Sequence, residues 1–181
     1  MIVFLGPAGS GKSTQGQLLA DRLGWTWLSA GQLLRDTHDE NLEKIMNEGQ
    51  LAPSDVINKI MVDAIKAAPN PKKIILDGFT RKIEEARHLI ESTSDHMAGV
   101  DLVIIFDVPL QFLLDRLKLR GRVDDTPEAV EERLKIYHED VNEIIQYFEK
   151  NNIKISKIDG SASIEEVHKI ILKELEKCQL N

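Results

Sequence analysis

Cysteine is almost absent from the sequence, since Cys178 is the single thiol in 181 residues. One thiol cannot close an intramolecular disulfide, and it cannot build a zinc site from several cysteines. The chain also lacks an apolar run long enough for a signal peptide or a membrane span, because the N-terminal run at residues 2–5 is far too short. We therefore expect a protein of a reducing, cytoplasmic compartment, with no zinc and no membrane partner.

The sequence also contains fewer basic residues than acidic ones. Lys and Arg number 23 against 30 Asp and Glu, which gives a net charge of −7. Proteins that bind nucleic acids over a broad surface usually need an excess of basic residues, so we expect no nucleic-acid partner. The sequence has no internal repeat, low-complexity tract or flexible linker, which predicts a single domain.

Five short apolar stretches alternate with segments of helical spacing, as is typical of buried parallel strands joined by helices. The longest helix is predicted to begin at Thr126, with Pro127 in its first turn, and the last helix opens with Ser163 and Glu166 as a capping box. This order predicts an α/β domain with a five-stranded parallel sheet flanked by helices, whose ligands bind beyond the carboxyl ends of the strands. The predicted strands are residues 2–5, 26–29, 74–77, 102–108 and 153–158.

A glycine-rich segment follows the first predicted strand directly. Residues 6–14, GPAGSGKST, match the pattern G-x-x-x-x-G-K-[ST] between a strand and a helix. The glycines let the backbone turn tightly and point N–H groups at phosphate oxygens, and the next helix adds its positive end. Lys12 can bridge the β- and γ-phosphates of ATP, while the following hydroxyls can face Mg²⁺ or a phosphate. The segment predicts nucleotide binding by Gly9, Ser10, Gly11, Lys12, Ser13 and Thr14.

Most of the arginines follow the predicted strands, precede the longest helix or, in the case of Arg133, lie on that helix. A guanidinium fork matches phosphate oxygens and stays charged, which suits a site that holds two phosphorylated substrates. Asp77 ends the third strand, where a carboxylate can hold Mg²⁺ through its waters. The arginines concerned are Arg35, Arg81, Arg116, Arg120, Arg122 and Arg133.

Together these segments resemble the adenylate kinase family of nucleoside monophosphate kinases, with some features similar to the UMP/CMP kinases. Each segment other than the phosphate loop is short, but their order and spacing are highly specific. The resemblance extends from Met1 to about Leu175. The matching segments are residues 6–15, 29–35, 49–53 (GQLAP), 77–81 (DGFTR) and 120–125 (RGRVDD), followed by Arg133, Tyr137 and residues 159–160.

The resemblance implies a P-loop kinase fold and one nucleoside monophosphate kinase domain over residues 1–181. A helical flap at about residues 31–68 would bind the monophosphate, and a very short lid at about residues 120–126 would close over ATP and exclude water. The core would comprise residues 1–30, 69–119 and 127–181. The resemblance also implies Mg²⁺ with ATP as co-substrate and no covalent intermediate, and we expect a monomer.

The same resemblance implies roles for individual residues. Arg116 and Arg120 would join residues 9–14 in binding ATP, and Ser13 and Asp77 would hold Mg²⁺ through water. The catalytic residues would be Lys12, Arg81, Arg122 and Arg133, which neutralise the transferring phosphoryl group. The acceptor nucleotide would contact Ala30, Arg35, Gln50, Leu51, Ala52, Gly78, Arg81, Glu85, Arg122 and Arg133.

Several positions depart from the family pattern. Ser13 stands where the family has glycine, which restores the general phosphate-loop motif. Thr80 replaces a proline and is expected to loosen its turn, and Gln32 removes an acidic residue. A single glycine separates Arg120 from Arg122, where short-lid relatives carry several residues, so one of these two arginines could be idle.

Ala30 and Glu85 bear on the identity of the acceptor base. AMP-specific relatives carry Thr and Gln at these positions, whereas UMP/CMP kinases also have alanine at the first. An ionised glutamate only accepts hydrogen bonds, so it would repel a ring nitrogen of adenine and would suit the two adjacent donors of guanine better. The other interpretation is that Glu85 faces water. AMP is the leading acceptor because that activity dominates the family, while UMP/CMP, GMP, a deoxynucleotide or broad specificity stay open.

Two hypotheses from other classes explain part of the sequence. A P-loop kinase for a small metabolite, such as shikimate or gluconate, would share residues 9–14 but would not explain Arg35 and Arg81 together. A nucleotide-binding regulator without catalysis is supported by the short lid alone, and the retention of Lys12 and the arginines argues against it. A GTPase is disfavoured because no Asn-Lys-x-Asp motif follows a strand.

Overall fold

The computed structural model describes residues 1–94 and 99–180. Five strands form one parallel sheet in the order β2-β3-β1-β4-β5, which confirms the predicted α/β class. The strands are β1 (Ile2–Leu5), β2 (Thr26–Ser29), β3 (Ile74–Asp77), β4 (Leu102–Asp107) and β5 (Lys154–Asp159). The helices are α1 (Lys12–Leu23), α2 (Ala30–Asp36), α3 (Glu40–Asn47), α4 (Ser54–Ala67), α5 (Ile83–Ser94), α6 (Leu110–Arg120), α7 (Pro127–Lys150) and α8 (Ile164–Lys177).

The central strands are buried on both faces, because helices cover the sheet from either side. Successive side chains of β1 point to opposite faces, so Val3 belongs to one core and Phe4 to the other. The first core contains Leu76 and lies under α4, α5 and α7, and the second contains Phe106 and lies under α1 and α8. Phe4 and Phe106 meet edge to face, with ring centroids 5.1 Å apart.

The predicted limits of the fourth and fifth strands were wrong by one residue. β4 ends one residue before Val108, because Pro109 follows and has no N–H to continue the ladder. β5 begins after Ile153, whose N–H donates to the Phe148 carbonyl at the end of α7 over 3.1 Å. β5 then extends to Asp159 in register with the whole of β4.

Both predicted helix starts are confirmed. The Thr126 hydroxyl accepts a hydrogen bond from the Ala129 N–H (3.2 Å) at the start of α7, and Ser163 and Glu166 form the reciprocal capping box of α8. Between β2 and β3 the chain makes α2, α3 and α4, which occupy most of the segment predicted as a flap. Within the described ranges, we find no helix with the length and apolarity needed to cross a membrane.

Candidate active site

A cavity of about 740 Å³ opens at the carboxyl edge of the sheet. Its walls come from the loop after β1, the segment from α2 to α4, the turn after β3 and the segment that joins α6 to α7. Every residue that the sequence predicted for the site lines this cavity, as expected for the carboxyl edge of a parallel sheet. They are Gly9, Ser10, Gly11, Lys12, Ser13, Thr14, Ala30, Arg35, Gln50, Leu51, Ala52, Asp77, Gly78, Arg81, Glu85, Arg116, Arg120, Arg122 and Arg133.

The loop after β1 is packed too tightly for any side chain at Gly9. This residue has a φ of +82°, and a Cβ there would lie 2.9 Å from Leu117 Cγ and 3.0 Å from the Leu113 carbonyl. Both the backbone conformation and the contact with α6 therefore require glycine. Helix α1 begins at the end of this loop, so its free N–H groups and the positive end of its dipole face the cavity.

Lys12 is folded back into the phosphate loop. Its Nζ donates to the carbonyls of Gly6 (2.7 Å) and Pro7 (2.8 Å) and lies 3.3 Å from Ser10 Oγ. Only 8% of the residue is exposed. Burial lowers the Lys12 pKa from 10.5 to about 8, although the Asp77 carboxylate partly offsets this effect. The Asp77 carboxylate does not fully offset the desolvation of the ammonium, and the phosphates of a bound nucleotide would supply further negative charge.

Ser13 and Asp77 meet where α1 begins and β3 ends. The Ser13 hydroxyl donates to Asp77 Oδ2 over 2.6 Å. Hydroxyl and carboxylate oxygens suit Mg²⁺, which takes few protein ligands and completes its shell with water and phosphate oxygens. The pair therefore fits the predicted magnesium position. Across residues 1–94 and 99–180 we find no group of three or more His, Cys, Asp or Glu side chains that could hold a metal by themselves.

Arg120 and Arg133 are paired with the two aspartates of the RGRVDD segment, which the sequence analysis did not predict. Arg120 forms a fork with Asp125, through Nε to Oδ2 (2.8 Å) and Nη2 to Oδ1 (2.5 Å). Arg133 donates to Asp124 Oδ2 (3.2 Å) and to the Asp124 main-chain carbonyl. Partial burial opposes ionisation of Asp125, but the hydrogen bond and charge of Arg120 hold its pKa below the ordinary value. The closeness of arginines and aspartates in residues 120–125 was the sequence signal that could have predicted these ion pairs.

Arg35 and Arg122 differ from these paired arginines. Among the residues that the structure describes, neither guanidinium group has a hydrogen-bond or ion-pair partner. Burial lowers the pKa of Arg35, and the positive charges of Arg122 and Arg120 lower it further, while Asp124 partly compensates. The guanidinium groups of Arg35, on α2, and of Arg122, in the segment after α6, thus lie near each other at the cavity, and the Asp124 carboxylate offsets their repulsion only in part. This arrangement fits a phosphate-binding position.

Arg81 and Glu85 are joined in the turn between β3 and α5. Glu85 is 3% exposed, and its Oε2 accepts a hydrogen bond from the Arg81 backbone N–H at 2.7 Å. The interpretation that Glu85 faces water is therefore wrong, since the side chain is buried against this turn and lines the cavity. Burial raises the Glu85 pKa, against the opposing effect of the Arg81 N–H and guanidinium. Arg81 Nε donates to the Gly78 carbonyl (2.7 Å), which aims the guanidinium into the cavity.

Thr80 holds an uncommon conformation in the same turn. It is fully buried with a φ of +62°, and its Oγ1 has no hydrogen-bond partner within the described part of the chain. A left-handed conformation is rare for a β-branched residue. The sequence predicted a loosened turn, whereas the structure has a tightly buried and strained one.

Several apolar residues line the cavity without having been predicted for it, among them Leu119, Ile164 and Trp27. Leu119 and Ile164 are 87% and 53% exposed. Leu119 shares α6 with Arg116, and Ile164 lies three residues after Ser161, whose carbonyl accepts a hydrogen bond from Arg116 Nη2 (3.4 Å). Trp27 was interpreted as a packing residue; it does pack on Gly16, and it also borders the cavity. An exposed leucine between basic residues of α6 was the signal for Leu119, but such single exposed side chains are common on protein surfaces.

Comparison with known proteins agrees with this geometry. A family model described as "Adenylate kinase" matches residues 4–153. The adenylate kinase of Mycobacterium ulcerans (strain Agy99) is 32% identical over 182 residues, which cover 97% of this chain and 99% of the relative. The adenylate kinase of Mycobacterium leprae (strain Br4923) is 33% identical over 172 residues, covering 92% of this chain and 93% of the relative. Such nearly complete mutual coverage leaves no room for a large inserted segment in these relatives.

Proposed function

The chain belongs to the adenylate kinase family, and we propose that it transfers the γ-phosphoryl group of ATP reversibly to AMP. As a member of this family it is an ATP-dependent nucleoside monophosphate phosphotransferase, which sets aside the metabolite kinase and the non-catalytic regulator. The observation that carries the proposal is the cavity that brings the phosphate loop and arginines of several segments together. Such a site can hold two phosphorylated substrates with their phosphates face to face.

ATP would bind on the side of the cavity formed by residues 9–14. The backbone N–H groups at the start of α1 would bind the phosphates, and the desolvated Lys12 ammonium would pair with the β- and γ-phosphates. Arg116, with Leu119 and Ile164 on the same side, would contact the base. Ser13 and Asp77 would hold Mg²⁺, which neutralises charge on the phosphate oxygens when it is bound.

The acceptor would bind between the core and the flap of residues 31–68. Arg35 and Arg81 would grip its phosphate, since Arg35 is unpaired in the described structure and Arg81 is aimed into the cavity. The base would lie against Ala30, Leu51 and Ala52, with Gln50, Gly78 and Glu85 supplying polar atoms. The reaction needs no covalent intermediate, because the two nucleotides would already be in line.

Phosphoryl transfer would depend on charge supplied by Arg122 and Arg133. Arg122 has no side-chain hydrogen-bond or ion-pair partner among the described residues and could bind phosphate, whereas Arg133 is held by Asp124 and would exchange part of this contact for the transferring group. The short lid of residues 120–126 would close over ATP and exclude water, which prevents hydrolysis. We further propose that the protein acts as a cytoplasmic monomer: its single thiol, Cys178, fits a reducing compartment, and the phosphate loop and the arginines meet in one cavity of the chain.

GMP is a second candidate acceptor, and Glu85 is the observation that favours it. The Glu85 carboxylate accepts backbone hydrogen bonds from Arg81 and Lys82, and its remaining lone pairs can accept further hydrogen bonds at the cavity wall. The ring N–H and the exocyclic amine of guanine can both donate to this carboxylate, whereas adenine offers its exocyclic amine only. The free energy of one such hydrogen bond, about 1.5–3 kcal/mol for a charged partner, is enough to shift the preference measurably.

The test is a panel of acceptors with Mg-ATP, namely AMP, GMP, UMP, CMP and their deoxy forms, with kcat/KM measured for each. We expect AMP to be phosphorylated, and we expect Glu85→Gln to change the AMP-to-GMP ratio of kcat/KM about tenfold in favour of AMP. Glu84→Gln is the matched control, because this substitution removes the same charge from an exposed neighbouring position. Turnover of no nucleoside monophosphate would contradict the proposed enzyme, and a preference for a pyrimidine would contradict AMP as acceptor. An unchanged ratio in Glu85→Gln would remove Glu85 from base selection.

A further inference from the structure

The loop between α3 and α4 is seated on the first turn of α7. Gly49 in this loop is buried, with a φ of +78°. A Cβ at Gly49 would lie 2.4 Å from the carbonyl oxygen of Ala129 and 2.7 Å from its Cα. These distances are below any real Cβ contact and involve backbone atoms that cannot rotate away. The two segments therefore touch backbone to backbone, and glycine is the residue that permits it.

The first turn of α7 is buried where it meets this loop. The helix begins at the protein surface with the exposed Pro127, yet Ala129 and Val130 are only 2% and 4% exposed. Next to Gly49, the Gln50 Nε2 donates to Glu132 Oε1 over 3.3 Å, which links the flap to the next turn of α7. The predicted flap is thus anchored to α7 through the loop between α3 and α4, near the middle of the flap sequence.

The contact of Gly49 and Gln50 with Ala129 and Glu132, called the seat below, also involves the side chain of a proposed catalytic arginine. The Ala129 carbonyl that faces Gly49 is the atom that accepts the hydrogen bond from Arg133 Nε (3.1 Å). Leu51, two residues after Gly49, lines the same cavity as Arg133. The position of the flap and the orientation of Arg133 therefore depend on one shared backbone group.

We propose that Gly49 and Glu132 are positioning residues that seat the acceptor flap on α7 and thereby hold Arg133 in place for the transfer. The inference rests on the proposed function, because it takes the flap as the acceptor side and Arg133 as a catalytic group. It predicts that disturbing the seat weakens use of the acceptor much more than use of ATP. ATP would bind to residues 9–14, which lie in the loop after β1 and at the start of α1 rather than in the α3–α4 loop or on α7.

Gly49→Ala is the first test, and Gly24→Ala is its matched control. Gly24 also has a positive φ, of +66°, but a Cβ there meets nothing within 4 Å, so it imposes the same backbone strain without a clash. We expect Gly49→Ala to raise the KM for the acceptor at least about tenfold and to lower kcat, with the KM for ATP within about twofold of wild type. Gly24→Ala should change neither KM. Equal rises in both KM values, or an acceptor KM no higher than that of Gly24→Ala, would overturn the proposal.

Glu132 keeps the proposal testable where Gly49→Ala fails to fold. Glu132→Ala removes the acceptor oxygen for Gln50, whereas Glu132→Gln retains one. We expect about a threefold rise in acceptor KM for Glu132→Ala and recovery to near wild type for Glu132→Gln, as befits one exposed hydrogen bond. Identical values for the two variants would overturn the role of Glu132. Absence of turnover in the wild type would instead contradict the proposed function, so the two failures are distinguishable.

Discussion

Raising the pH from 7 to 9 should weaken ATP binding about tenfold through Lys12. Burial lowers the Lys12 pKa to about 8 in the empty site, with the Asp77 charge opposing this effect and the Arg81 and Arg120 charges adding to it. At that pKa about nine-tenths of the ammonium is charged at pH 7 and about one-tenth at pH 9. Phosphates bind the charged form, so the observed affinity falls with the charged fraction as long as bound phosphate keeps the lysine protonated.

The lowered pKa of Lys12 also affects the stability of the protein. Its effect on the pH dependence of the unfolding free energy is opposite in sign to that of a salt-bridged lysine, whose pKa is raised. The folded-state pKa lies below the unfolded value of 10.5, so between about pH 8 and 10.5 the unfolded chain binds more protons than the folded one. The free energy of unfolding therefore rises with pH across this window, by up to about 3 kcal/mol from this group. Lys12 destabilises the empty protein at neutral pH, where both states carry the charge and the folded state has desolvated it.

Isothermal titration calorimetry of Mg-ATP binding from pH 7 to 9.5 measures both the affinity and the protons taken up. In two buffers of different ionisation enthalpy, proton uptake should approach about 0.5 at pH 8 and about 0.9 at pH 9. Lys12→Arg is the control, because arginine does not titrate in this range and should give a flat affinity profile. A flat profile in the wild type, or a slope that persists in Lys12→Arg, would refute the assignment to Lys12.

Three further predictions concern the walls of the cavity. Arg81→Ala or Arg133→Ala should lower kcat about 10²–10³-fold with an unchanged circular dichroism spectrum, since each removes a fork from the reacting phosphates, and near-normal turnover in both would contradict these roles. Asp77→Asn should raise the Mg²⁺ concentration needed for half-maximal activity about tenfold, measured at fixed ATP, because the carboxylate charge is lost; an unchanged requirement would remove Asp77 from the metal site. Thr80→Gly should raise the free energy of unfolding by about 1 kcal/mol in urea titrations, because relief of left-handed strain and loss of the unpaired hydroxyl outweigh the entropy of glycine, and a decrease would contradict the strain.

Much of the fold was predictable because its signals are local. The apolar stretches 2–5, 26–29 and 74–77 match the strands residue for residue, and the Thr126 cap begins α7 where predicted. The start of β5 was not predictable from periodicity, because Ile153 is apolar but its N–H donates to the Phe148 carbonyl at the end of α7. Strand limits depend on such competing hydrogen bonds, which the pattern of side chains does not record.

The sequence predicted which residues line the site, but it did not predict the contacts that these residues make with one another. Parallel topology brings the carboxyl ends of strands together, so residues 9–14, Arg35 and Arg81 had to share one edge. The pairing of Arg133 with Asp124 and the burial of Glu85 depend on rotamers and on the angle of neighbouring helices. These are tertiary properties that a sequence motif leaves undetermined.

The most direct test of direct transfer between two nucleotides is to follow the γ-phosphate of radiolabelled ATP with Mg²⁺ and AMP. The proposed function predicts that the label appears in the β-phosphate of newly formed ADP, in an amount equal to the ATP consumed, with almost none in inorganic phosphate. Label that accumulates in inorganic phosphate, or ATP consumption that is independent of AMP, would contradict a site that binds both nucleotides and excludes water.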